Sequence, residues 1–165
     1  MENFLAAKTQ RVPLAWISLL RIMLGVLFLT TWASNLSKGF YTPDGLLNFF
    51  TNVFPQADNP LAWYAGFIDG AILPMRGVFA PFQLVAEFMI GLFLLLGLLT
   101  PFSSAAGIFF ILNTFLATFG HDWPWSYGML LALLAVVLVT RAGRSLGIDN
   151  FLLQRRGEPR IPFLW

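Results

Sequence analysis

The stretch FQLVAEFMIGLFLLLGLL (residues 82–99) would sit in lipid without difficulty, apart from Gln83 and Glu87. A helix that crosses a bilayer needs roughly 20 mainly apolar residues. With the residues leading up to Glu87, this stretch reads as one such span. The same character extends outward. Nothing charged lies between Arg21 and Lys38, between Glu87 and His121, or between Asp122 and Arg141. The chain of 165 residues is 58% hydrophobic and only 11% charged, where a soluble domain carries about a quarter charged residues.

LLTPFSS (residues 98–104) divides the long central run in two. Pro101 cannot continue a helix, and the threonine and serines suit a tight turn. The pattern therefore predicts an all-α integral membrane protein: a bundle of four spans over residues 13–37, 79–99, 103–119 and 125–140. The second span is expected to begin between Val78 and Pro81. The first apolar stretch is too long for a cleaved signal peptide and lacks a small-residue cleavage site. The whole chain, 1–165, reads as a single membrane domain with a cytoplasmic tail over 141–165.

Cations set the expected orientation. Lys8 and Arg11 precede the first span, and Arg141, Arg144, Arg155, Arg156 and Arg160 follow the fourth. The positive-inside rule places both termini in the cytoplasm, with the long loop 39–77 and GHDWPW (residues 120–125) outside. A net charge of +2 argues against nucleic acid as a partner. There is no cysteine, so sulfur or electron chemistry needs a partner or a dissociable cofactor.

The loop 39–77 is too apolar for solvated disorder. LLNFFTNVF (46–54) and LAWYAGFIDGAIL (61–73) each carry helical spacing, with Leu61, Tyr64, Ile68 and Ala71 on one face. Asn59-Pro60 is a start signal for the second. One reading is two interfacial helices anchored by Trp63 and Tyr64. The other is a lid over a cavity between the spans.

An ionised side chain at mid-bilayer costs at least about 2.5–3.5 kcal/mol, so Glu87 should face the bundle interior. Gln83 and Gly91 share its stripe, and Ser18, Arg21, Gly25, Phe28 and Trp32 form a facing stripe on the first span. Ala106, Phe110, Asn113 and Ala117 share a face of the third. A direct Arg21–Glu87 ion pair is one reading. Depth opposes it, because the two residues differ in height by more than a helical turn and lean apart toward their own helix N-termini. The alternative is a polar pocket lined by Arg21, Glu87 and Asn113, with Phe110 and Trp32 as aromatic walls. Such a pocket suits a quinone head group, with Glu87 as a proton relay. His121 is the lone histidine and cannot form a metal site by itself. The pair His121-Asp122 suits a helix cap or a proton relay at the outer mouth. Arg141 and Arg144 suit a helix C-terminus and anionic lipid headgroups. Asp149 could pair with Arg144 or cap a short helix, and the terminal IPFLW (161–165) could dock on another chain.

LRIMLGVLFLTTWASNLSKGF, AEFMIGLFLLLGLLTPFSSAAG, LNTFLA and RAGRSLGID resemble, in this order, segments of the DoxX/DoxD family. NPLAWYAGFIDGAILP resembles the external loop of its longer members. The resemblance covers residues 14–153. It implies a prokaryotic inner-membrane protein of four helices, and for DoxD-type members the small membrane subunit of a thiosulfate:quinone oxidoreductase working with a DoxA-type partner. Arg21, Lys38, Glu87, Asn113, Arg144 and Asp149 match the family's polar pattern. The expected function is thus a quinone-linked subunit, not catalytic alone. Its rival is a non-catalytic accessory subunit packed against a larger respiratory or photosynthetic complex, and a small transporter has less support.

Overall fold

The computed structural model describes residues 13–159, 161 and 164. Lys8, Arg11 and Arg160, used above for orientation, lie outside the described residues, as does most of the IPFLW segment. The described residues form seven α-helices and no strand. We number them α1 (Leu14–Ser37), α2 (Pro43–Asn48), α3 (Ala62–Phe67), α4 (Arg76–Leu96), α5 (Thr100–Ala117), α6 (Pro124–Thr140) and α7 (Ile148–Arg156). Helices α1, α4 and α5 are long and apolar enough to cross a membrane; α6 is apolar but has 17 residues.

Two boundaries differ from expectation. Helix α4 begins at Arg76 and keeps Pro81 inside it. Apolar helices tolerate the lost N–H when neighbours re-satisfy the backbone. Helix α5 begins at Thr100, so Thr100, Pro101 and Ser103 belong to its first turn and are buried, and the turn itself shrinks to residues 97–99. Proline is at home in a first helical turn, where its missing N–H has no intrahelical role.

Packing of α1 on α4 follows the glycines. A Cβ on Gly25 would stand 2.5 Å from the Leu95 nitrogen, and one on Gly91 would stand 3.0 Å from Phe28 and Leu29. These close approaches let the two backbones meet. Leu24, Phe28, Ile90, Leu94, Ile111, Leu134 and Val137 fill the bundle toward the end where α4 turns into α5.

That turn end is a polar lock. Arg21 is fully buried, and its guanidinium donates to the Leu94 carbonyl, to the Leu95 carbonyl (2.9 Å) and to the Leu146 carbonyl (2.8 Å). It thereby caps the orphan carbonyls that every helix C-terminus leaves. Asp149, also fully buried, accepts from the backbone N–H of Leu99 (2.7 Å) and Thr100 (2.8 Å), capping the start of α5. The Ser18 hydroxyl, with one hydrogen to give, lies 2.7 Å from the Ala142 carbonyl and 2.8 Å from the Ser145 carbonyl. Leu99, Arg141 and Leu146 hold left-handed φ values of 48°, 49° and 51°, which are strained for residues with a Cβ. All three sit in this lock. Gly143 is required by closeness: a Cβ there would meet Thr100 Oγ1 at 2.0 Å and Asp149 Oδ2 at 2.3 Å.

At the opposite, loop end, α2 and α3 each run on into a π-helical turn, Phe49–Val53 and Ile68–Ile72. Their apolar faces pack on the spans: Leu46, Phe50, Tyr64, Ile68 and Ile72 cluster with Ala80 of α4 and Ala117 of α5. Asn59 starts α3 by accepting from the Leu61 N–H (2.9 Å). Trp63 is exposed as expected of an anchor, but Tyr64 turns inward and is buried.

Candidate functional site

Between the two packed ends lies a cavity of about 470 Å³. Helices α1, α4, α5 and α6 form its walls, and the segments around α2 and α3 roof it. Loop residues line the cavity, as a lid would, and Trp63 stays exposed, as an interfacial anchor would. The walls are mostly apolar and aromatic, including Phe28, Phe79, Phe110, Ile90 and Leu130. Glu87, Gln83, Asn35, Asn113, Thr114 and Tyr64 supply the polar groups.

Glu87 is 2% exposed. Its partner is not Arg21. Tyr41, from the turn after α1, donates its hydroxyl to Glu87 Oε2 at 2.6 Å. Asn35, near the end of α1, lines the same cavity. No salt bridge to Glu87 occurs among the described residues. The depth argument explains why. Arg21 bonds at the level of Leu94 and Leu95, at least seven residues beyond Glu87 along α4, which is about 11 Å of helix. Arg21 leans toward the turn end, and Glu87 leans toward the loop end.

Of the expected pocket residues, the structure brings Glu87, Phe110 and Asn113 to the cavity. Arg21 is assigned to the turn-end lock instead. Trp32 stands outside the lining, with Nε1 donating to the Leu84 carbonyl (3.1 Å) and its ring 4.9 Å from that of Phe88. Asn113 accepts from the Tyr64 hydroxyl (2.8 Å) and donates to the Phe109 carbonyl (2.7 Å), which uses one of its two amide hydrogens.

Burial and the adjoining Glu87 carboxylate push the Tyr41 hydroxyl far up, so it stays protonated and donating. Burial likewise pushes Tyr64 up to about 12. Tyr41 and Asn35 were not among the expected site residues. In the sequence, Tyr41 precedes TPDG, a turn signal, and nothing local aims it at a carboxylate 46 positions away.

The remaining candidates have structural partners. The lone His121 lies 3.2 Å from the Pro55 carbonyl. Asp122 accepts from the Trp123 N–H (2.7 Å) and the Tyr127 hydroxyl (2.7 Å), as a cap at the start of α6. Arg144 makes a two-pronged contact with Glu158 (2.9 and 2.6 Å), and Arg141 lies 3.7 Å from the same carboxylate. Among the described residues, no cluster of three or more metal-ligating side chains occurs.

These features define a helical membrane protein whose bundle encloses an aromatic cavity around one buried carboxylate. The chain belongs to the DoxX family, whose profile matches residues 16–121. Neither a curated protein nor a solved structure matches the chain.

Proposed function

We propose that the cavity takes a quinone and that the chain is the quinone-binding membrane subunit of a redox complex. The observation that carries this reading is Glu87: a buried carboxylate, held by Tyr41 with no cation against it, on the wall of an apolar, ring-lined cavity. A carboxylate retained only for packing would be expected opposite a cation. The volume falls within the roughly 300–1,000 Å³ of small-molecule sites, and flat aromatic walls suit a flat ring.

A bound quinone supplies two-electron, two-proton redox chemistry. The chain's part is to place and protonate the ring. Glu87 holds or releases a proton at its carboxylate oxygens, and Tyr41 fixes the direction of that carboxylate. Gln83 and the second amide hydrogen of Asn113 offer donors for carbonyl oxygens. Phe28, Phe79 and Phe110 exclude water. With no cysteine in the sequence, the electrons come from a partner subunit with a small reduced donor such as thiosulfate.

The reading includes four spans in a prokaryotic inner membrane, with both termini cytoplasmic. Helix α6, at about 26 Å, approaches the roughly 30 Å of a hydrocarbon core. Arg141, Arg144, Arg155 and Arg156 collect at its exit, where the cytoplasmic side and its anionic lipids favour them. The exposed apolar side chains of the bundle are what lipid contact alone requires, so they do not add weight to an accessory role.

The test is Glu87→Gln in the assembled complex. The change keeps shape and removes the titrating group. Donor-dependent quinone reduction should fall about 10²-fold or more, the usual scale for losing a proton-transfer group, with assembly intact. Undiminished turnover in an assembled variant would return Glu87 to a packing role.

A further inference from the structure

Packed groups bound the cavity at both ends. At the loop end, the buried Gln56 donates to the Ala117 carbonyl (3.0 Å) and the buried Asn59 to the Leu116 carbonyl (3.0 Å), tying the roof to the end of α5. The Tyr64–Asn113 bond adds a third tie. At the turn end stand the apolar core and the Arg21 lock. A ligand must therefore enter through a side.

Helices α4 and α5 meet closely where Gly107 faces Ile90, with a Cβ on Gly107 3.5 Å from Ile90. Toward the loop end both helices line the cavity. Three rings line the cavity there and also face outward: Phe67, Phe82 and Phe109, with exposures of 45, 63 and 70%. On the side of α1 and α6 the lining is Leu27 and Thr31, both exposed, with Leu130 and Tyr127, both half-buried. The Tyr127 hydroxyl is tied to Asp122 at 2.7 Å and its ring lies 5.5 Å from that of Phe115.

We propose that the gap between α4 and α5, rimmed by Phe67, Phe82 and Phe109, is a lateral portal to the bilayer. It admits a lipid-soluble ligand whose ring lodges at Glu87 and whose alkyl tail stays in the gap, against Phe82 and Phe109. The reading rests on the quinone assignment for the head, and adds the entry route and a tail-binding site. A tail left in lipid explains how a cavity of this size serves a molecule much longer than itself.

The experiment uses the full chain in lipid nanodiscs and two photoreactive probes built on a decyl-tailed dimethoxybenzoquinone. One carries a diazirine on the ring, the other near the head of the tail. Labelled peptides are mapped with and without excess unlabelled quinone. The ring probe should label segments containing Tyr41 and Glu87, and the tail probe those containing Phe82 and Phe109, both competably. Competable ring labelling with tail labelling on α1 and α6, or on α2, would overturn the portal and leave the quinone site standing. Absence of competable ring labelling would overturn both. As a second measurement, Phe82→Trp with Phe109→Trp should slow ring labelling without lowering the thermal midpoint, and an unchanged labelling rate would contradict the route.

Discussion

Arg21 and Glu87 are the two charges that the bundle buries on facing helices, yet the structure makes them independent. The perturbation is a pair of double-substitution cycles: Arg21→Met with Glu87→Gln, and Arg21→Met with Asp149→Asn. Arg21→Met removes three donor contacts from the Leu94, Leu95 and Leu146 carbonyls. At the ~0.6 kcal/mol measured on average for interhelical bonds in membranes, the loss is about 2 kcal/mol. At the scale of a broken buried charge network it reaches about 3–5 kcal/mol. Asp149→Asn turns one acceptor of the Leu99 and Thr100 N–H groups into a donor and should cost about 1–3 kcal/mol. Arg21 and Asp149 hold the same strained turn and feel each other's charge, so their changes should couple by about 0.5–3 kcal/mol. Arg21 and Glu87 act about 11 Å apart along α4 and share no partner, so their changes should add within about 0.5 kcal/mol. Unfolding in mixed micelles by titration with a denaturing detergent, followed by circular dichroism, measures both cycles. A coupling well above 1 kcal/mol between Arg21 and Glu87, with none between Arg21 and Asp149, would refute the separation of the two sites.

Gly143→Ala should destabilise by about 1–3 kcal/mol or more, because its Cβ lands on Thr100 and Asp149, while Gly66→Ala, with open space around it, should be nearly neutral in the same titration. Tyr41→Phe removes a hydrogen bond to a buried carboxylate and should cost about 1.5–3 kcal/mol; a smaller loss than that of Thr42→Ala would speak against the Tyr41–Glu87 bond. The Arg144 guanidinium holds the Glu158 carboxyl below the usual carboxylate range, so their contact is present above that range and is lost as pH falls through the lowered value. A spin label on Gln154→Cys should gain mobility across that acidic step, and Glu158→Gln should remove the step. For orientation, single cysteines at Asp58 and Phe102 in this cysteine-free chain should differ: an impermeant thiol reagent on intact cells labels the first and spares the second, and the reverse pattern inverts the topology. Phe102 is exposed, whereas Ser103 beside it is buried and would escape labelling for the wrong reason.

The helices were legible because lipid demands long charge-free runs, and those runs ended within a few residues of where the structure ends them. The stripes on α1 and α4 were legible as well, since glycine and polar residues at helical spacing must face inward. What the stripes could not supply was height. Arg21 and Glu87 share a face and yet serve opposite ends of the bundle, a difference set by where each side chain leans and by what waits there. Asp149 was expected to bond within its own surroundings, near Arg144. It instead caps α5 across a fold-back that no local pattern announces. Tyr41 and Tyr64 were hidden for the same reason: each looks like a loop or interface tyrosine until the roof is folded onto the spans. The π-helical turns that bring Phe49, Phe50, Ile68 and Ile72 to the cavity left no mark in the spacing.

The central claim is that Glu87 marks a ligand cavity and is not a packing device. Its most direct measurement is equilibrium binding of a decyl-tailed benzoquinol, whose hydroxyl can donate to the carboxylate, to the full chain in anaerobic nanodiscs, for the unaltered protein and for Glu87→Gln. The account predicts saturable binding to the first, and at least about tenfold weaker binding to the variant at an unchanged thermal midpoint, the scale of one lost hydrogen bond to a charged group. Equal affinities, or no saturable binding to either, would contradict it.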